Sequence, residues 1–354
     1  MKIWFTCVLA LFLQCSYAQS KAKNPIRNFE HLWNRFNDRY ANFELKGVDW
    51  QQVYEEYRPM VTAETSPEEL FDICCQMMQT LNDGHVSIDP RFKENDIECG
   101  PPYDFYLFRE FSTREDRLLY NQAIQTTLDR EGFGEKITKD LAGDTNFQYR
   151  LSDDWVYLRM DEMTESPALG KFSRTLDECL EAAQNSKGMI LDFRLNGGGL
   201  DIVGYRLASR LIEPGQTVSH YERKRIKGTD EYTELKERTI EAKGKYPFTK
   251  PIVILTGDFT ASAAEVFLLL VKDLPYVTLI GDPTEGIFSD MQFFRMPNGW
   301  WGTLSHQQYF DGSNTNYEGE GIPVDINIRN TLEGAQKGED EVILKALEVL
   351  QAIN

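Results

Sequence analysis

The sequence predicts an α/β protein in which a small N-terminal bundle of three helices precedes a mostly buried sheet. Two patterns carry that prediction. Apolar residues recur at helical spacing in three stretches before residue 82, and short apolar strands alternate with helices after residue 151.

Lys2 followed by the apolar run Ile3 to Leu13 and the small residues of Ser16-Tyr17-Ala18 reads as a signal peptide over residues 1–18. The run is shorter than the roughly 20 apolar residues that span a bilayer. The mature chain is therefore expected to be exported, periplasmic or secreted, with no integral membrane span. A lipid anchor through Cys15 is disfavoured, because Gln14 stands where a small residue is needed.

The formal net charge is −18, and −19 once Lys2 is removed, which repels a phosphate backbone and makes nucleic acid a poor partner. Four cysteines remain after processing, Cys74, Cys75, Cys99 and Cys179. They are too few for a disulfide scaffold and show no zinc-ligand spacing, leaving buried thiols and room for one disulfide. No metal or cofactor is called for.

In the expected bundle, residues 19–88, the first helix carries Phe29, Leu32, Trp33, Phe36 and Tyr40, and the second Val53, Tyr54, Tyr57 and Val61. The third opens on Ser66-Pro67-Glu68-Glu69, which combines an N-cap serine, a proline at N1 and a capping-box glutamate. Its stripe of Leu70, Ile73, Cys74, Met77 and Leu81 is core packing. Asn82-Asp83-Gly84 ends it, and His85 leads into a short strand.

Residues 89–150 form a connecting region with one helix near 114–131. From 151 to 354 the core alternates. A hairpin turn leads into Val156 to Met160, and a helix with Leu169, Phe172, Leu176 and Leu180 precedes the strand Met189 to Phe193. A further helix runs through Tyr205, the strand Ile252 to Leu255 precedes a helix from Ser262 to Val271, and the strand Val277 to Ile280 follows. Pro297-Asn298-Gly299 marks a hairpin between aromatic strands, and a helix over 340–350 closes the chain.

Three places carry chemistry. Ser262, in Thr260-Ala261-Ser262-Ala263-Ala264-Glu265, sits at a strand-to-helix turn, where free helix N–H groups can stabilise an oxyanion. A serine there is also an ordinary helix N-cap. Asn196-Gly197-Gly198-Gly199 follows a buried strand and lets backbone amides face a ligand, or simply turns the chain. Its spacing excludes a dinucleotide fingerprint, since the third glycine would fall at Ile202. Asp192 and Arg194 beside it read as a structural ion pair. Among His31, His85, His220 and His306, only His85 follows a glycine turn leaving a helix, which makes it the candidate base for a serine.

Together these segments resemble the C-terminal-processing and tricorn-type serine peptidases. Leu81-Asn82-Asp83-Gly84-His85 resembles that family's L-x-D-G-H element, and Asp192 to Gly199 its D-x-R-x-N-x-G-G element. Leu255 to Glu265 resembles the nucleophile segment. Gly281-Asp282-Pro283-Thr284-Glu285-Gly286 resembles G-x-x-T-x-G, and Glu318-Gly319-Glu320-Gly321-Ile322 the E-G-x-G-[VI] element. The resemblance implies a crotonase/ClpP-like ββα core and hydrolysis of a peptide or unfolded protein through an acyl-enzyme. It implies Ser262 as nucleophile, His85 and Glu318 as the other catalytic residues, and an oxyanion hole from the backbone N–H groups of Gly198 and Ala263, with Gly199 beside it. The Ser–Lys branch places its lysine directly after T-x-G, where this chain has Ile287, so the resemblance is to the histidine-containing branch. The tricorn serine before the histidine is Gly84 here. The interval from Ile88 to Trp155 is too short for the PDZ domain of many relatives. A catalytically silent ligand- or peptide-binding protein on the same fold is the alternative, and a coenzyme-A-dependent crotonase enzyme a third reading.

Overall fold

The computed structural model describes residues 24–90, 99–100, 104–139, 147–163 and 169–353. The expected signal peptide and Cys15 lie outside the described residues. Among the described residues no helix is long and apolar enough to cross a membrane.

The first helices are α1 (Pro25–Arg39), α2 (Trp50–Tyr57) and α3 (Pro67–Gln79), followed by strand β1 (Ser87–Asp89). Next come α4 (Tyr106–Glu110), α5 (Arg114–Arg130), β2 (Ile137–Lys139), β3 (Phe147–Leu151), β4 (Trp155–Met160) and α6 (Leu169–Ala182). Then follow β5 (Gly188–Asp192), α7 (Asp201–Ala208), β6 (Thr217–Lys224), β7 (Lys236–Glu241), β8 (Ile252–Thr256), α8 (Ala263–Val271) and β9 (Val277–Gly281). The chain ends through β10 (Met291–Arg295), β11 (Trp301–Ser305), β12 (Gln307–Phe310), β13 (Ile326–Asn327), α9 (Leu332–Gln336) and α10 (Glu341–Ile353).

Two compact units emerge. Of the described residues, the first takes those up to 100 together with 223–234 and 289–308, and the second takes the remainder. In the first unit α3 starts on the capping box expected from its sequence: Ser66 Oγ accepts the Glu69 N–H, and the Glu69 carboxylate accepts the Ser66 N–H. Phe29, Leu32 and Phe36 of α1 bury against Leu70, Cys74 and Met77 of α3, and Phe294, Trp300 and Leu304 complete that core. The last three come from the β10–β11 hairpin, which turns at Asn298-Gly299 and pairs antiparallel with β1 in the order β1-β11-β10. Cys75 and Cys99 form a disulfide, while Cys74 and Cys179 are buried thiols.

The second unit is a mixed α/β body around a seven-stranded sheet in the order β13-β9-β8-β5-β4-β3-β2. Strands β4, β5, β8, β9 and β13 run parallel, and β3 and β2 add antiparallel at one edge. The central strands β4, β5 and β8 are buried at every position, which explains their near-continuous apolar runs. Alternate residues serve opposite layers. Met189, Leu191, Ile252 and Ile254 pack with Phe172 of α6, Leu207 of α7 and Phe267 of α8. Ile190, Val253, Leu255 and Ile280 pack with Ile124 of α5 and Ile343, Leu347 and Leu350 of α10. Every residue of α8 is buried, and all but Glu265 are apolar.

Candidate active site

Strand β8 delivers the chain to the C-terminal edge of the sheet, and α8 begins seven residues later. The turn between them is tied to the glycine loop after β5. Thr260 Oγ1 donates to the Phe193 carbonyl at 2.9 Å and accepts the Gly257 N–H at 3.0 Å. Ala261 N–H donates to the Asn196 carbonyl at 3.0 Å. These bonds set Ser262 as the N-cap of α8 at φ 56° and ψ −123°, a conformation side chains rarely adopt.

Gly198, at φ +94°, packs directly on this serine. A Cβ there would stand 2.6 Å from Ser262 Cβ, 2.7 Å from the Ala261 oxygen and 2.9 Å from the Ala263 nitrogen. Only glycine fits. Buried Asn196 anchors the loop: its side chain donates to the Met160 carbonyl and accepts the Gly198 N–H, both at 2.9 Å. The Gly198 carbonyl in turn accepts the Met163 N–H at 2.7 Å. The amides of exposed Gly199 and of Ala263, the first of α8, have no acceptor among the described residues.

Behind Ser262 lies Glu265, fully buried. Its carboxylate accepts the Ser262 N–H at 3.0 Å, the Thr284 hydroxyl at 2.5 Å, and the Gly286 and Ile287 N–H groups at 2.8 and 2.9 Å. Burial pushes this carboxyl up to about 7, while those four donors pull the other way. Glu265 stands inside the serine motif, and its role there is set by the fold. The S-x-x-E spacing was the available signal, since it is a capping-box pattern.

Glu318 is buried in the same unit. It accepts the Phe288 N–H at 2.9 Å, and the Gly319 N–H donates to the Gly286 carbonyl at 2.7 Å. Thr284 Oγ1 also accepts the Ile322 N–H at 2.7 Å, so the segments 284–288 and 318–322 are stitched together. Ile287, where the lysine of a Ser–Lys dyad would stand, is a buried apolar side chain.

His85 belongs to the first unit, just past a turn in which Asn82 has φ 44°. Its N–H donates to Asp83 Oδ1 at 2.9 Å, and Asp83 Oδ2 accepts the Tyr40 hydroxyl at 2.9 Å. Burial lowers the imidazole below its ordinary value, opposed by Asp83, the Ser289 backbone and Asp290. His220 lies in a largely polar strand, β6, yet is itself buried, with Tyr205 and Tyr309 against its ring.

The Asp192–Arg194 pair is structural. Arg194 is buried between Asp192 at 2.6 Å and Asp340 at 2.9 Å, and the Tyr157 hydroxyl donates to Asp192 at 2.7 Å. Burial alone would raise the Asp192 carboxyl, but Arg194 holds it at about 2.

Residues 154–328 match peptidase family S41, and residues 22–79 match the tricorn protease C1 domain. A carboxy-terminal-processing protease of Bartonella bacilliformis is 28% identical over 227 residues, covering 61% of this chain and 49% of that protein. The carboxy-terminal processing protease CtpA of Bacillus subtilis is 31% identical over 178 residues, covering 47% of this chain and 36% of that protein. The matched stretches thus span half or less of these relatives' lengths. A solved protein of Parabacteroides merdae, provisionally described as a peptidase, superposes with a TM-score of 0.76 at 26% identity, covering 92% of this chain and 96% of that one. Mature CPAF complexed with lactacystin shares the fold, with a TM-score of 0.67 at 12% identity, covering 94% and 98% of the two chains.

Proposed function

The chain belongs to the C-terminal-processing and tricorn-type serine peptidases, and we propose that it is an exported endopeptidase acting through an acyl-enzyme on Ser262. The observation that carries this is the placement of Ser262, strained at the N-cap of α8 and pressed against Gly198, with helix amides behind it. In this reading residues 19–88 form the N-terminal bundle, joined by 223–234 and 289–308, and the rest of residues 151–354 form a crotonase/ClpP-like ββα core, with no PDZ domain between the bundle and the core.

His85 takes the proton from Ser262 Oγ as the Oγ–C bond forms on the scissile carbonyl. The amides of Ala263 and Gly199 supply the oxyanion donors, and Gly198 supplies the space, its own N–H being held by Asn196. The C–N bond then breaks, with the proton passing from the imidazolium to the leaving amine. Water, deprotonated by His85, releases the acyl group. Glu318 is the third member of the set, and buried Ile287 supports a histidine base over a lysine.

The test is labelling with a serine-reactive phosphonate, followed by hydrolysis of an unstructured protein. Ser262→Ala should lose both labelling and hydrolysis while keeping its fold. Hydrolysis undiminished in that variant would remove Ser262 from the mechanism. Peptide binding without hydrolysis by the wild type would favour the silent binding protein.

A further inference from the structure

On the second unit a cleft of about 680 Å³ lies between α6, α7 and β7, lined by four cations, Arg206, Arg210, Arg238 and Lys243, against one carboxylate, Glu241. Asp177 and Glu222 also pair with Arg210 and Arg238, so the cleft keeps a small excess of positive charge in a chain with 56 acidic and 38 basic residues.

The cations differ in how firmly they are held. Arg210 is buried and held by Asp177 at 3.1 Å and by the Ser209 hydroxyl at 3.0 Å. Arg206 donates to Ser173 Oγ at 2.6 Å. Those bonds fix both guanidinium groups in place. Arg238 and Lys243 are loosely engaged. Arg238 reaches Glu222 only at 3.5 Å, its Nε is buried with no hydrogen-bond partner among the described residues, and Lys243 stands 3.9 Å from an exposed Glu241.

The Arg238 side chain is 42% exposed, so its outer guanidinium nitrogens are open to a ligand. Rigid guanidinium forks beside a mobile ammonium suit oxygens carried on phosphate or carboxylate. The volume is that of a small-molecule site. We propose that this cleft binds a small multivalent oxyanion, a phosphate or a di- or tricarboxylate. Arg238 and Lys243 grip it, beside the fixed guanidinium groups of Arg206 and Arg210.

The site stands apart from the peptidase reading, so it is tested on the Ser262→Ala chain, which removes turnover. Calorimetric titration with inorganic phosphate, pyrophosphate and citrate at low salt should give saturable one-to-one binding to at least one of them, with a Kd below about 1 mM. The ranking of the three separates a phosphate from a carboxylate ligand. Arg238→Gln/Lys243→Gln should weaken binding at least tenfold, and Lys345→Gln on α10 should leave it unchanged. The two single variants are titrated in parallel, so the comparison survives a poorly folded double variant. Absence of saturable binding by all three anions overturns the proposal, as does equal affinity in the wild-type cleft and the Arg238 and Lys243 variants.

Discussion

The Glu265 carboxylate accepts the backbone N–H of Ser262 at 3.0 Å while also accepting N–H groups from Gly286 and Ile287 more than twenty residues along the chain. One side chain therefore holds the strained serine and the segment leading toward Glu318 in a single register. Glu265→Ala would leave these buried donors without an acceptor, at about 1–3 kcal/mol each. Urea unfolding should show a loss of at least about 3 kcal/mol, and a loss under 1 kcal/mol would refute this role.

The same carboxyl makes stability pH-dependent. Its folded value is about 7 against an ordinary 4.5. Between those values the folded chain keeps a proton that the unfolded chain has released. The contribution is full below about pH 4.5 and falls as pH rises towards 7, by at most about 1.4 kcal/mol per unit. Wild type should lose stability relative to Glu265→Gln between pH 5 and 7.5. A constant difference between the two unfolding curves would contradict the shift.

Ser262 at φ 56° adopts a backbone that glycine tolerates and alanine does not. Ser262→Gly and Ser262→Ala should both be inactive, yet the glycine variant should be the more stable by about 1 kcal/mol, despite its more flexible unfolded chain. Equal or reversed thermal midpoints would argue against strain at this position.

Gly198→Ala adds a methyl group into contacts of 2.6–2.9 Å with Ser262, Ala261 and Ala263. Displacing the serine by a fraction of an ångström should lower kcat/KM by at least about 100-fold. Near-normal kinetics would mean that the glycine loop and the serine do not act together.

Burial lowers the His85 imidazole below its ordinary 6.5, outweighing the opposing pull of Asp83, the Ser289 backbone and Asp290. A neutral imidazole accepts the serine proton, so the acid limb of kcat/KM should have its midpoint below about pH 6.5. The same depression means that the group stabilises the fold above 6.5 and loses that contribution as pH falls through its folded value. His85→Ala should cost at least about 100-fold in kcat/KM. A limb near pH 8.5 would point to a different base.

Much of this protein is legible without coordinates, because the relevant signals are local. Leu70, Cys74 and Met77 mark one face of α3 by spacing alone, and Ser66 with Glu69 marks its start. Met189 to Leu191 and Ile252 to Ile254 are apolar at every position, as strands covered on both faces must be. The position of Ser262 between such a strand and an apolar helix is equally local. Tertiary structure decided the rest. Nothing within residues 289–308 announces that their hairpin completes the core around Phe36 and Met77. No spacing rule selects Cys99 as the partner of Cys75. The capping-box pattern gives Glu265 its bond to Ser262, but its bonds to Thr284, Gly286 and Ile287 need segments far apart in sequence to meet. Periodicity records only which face of an element is buried, whereas a polar group buried at the meeting of several segments is satisfied by whichever donors the completed fold brings to it.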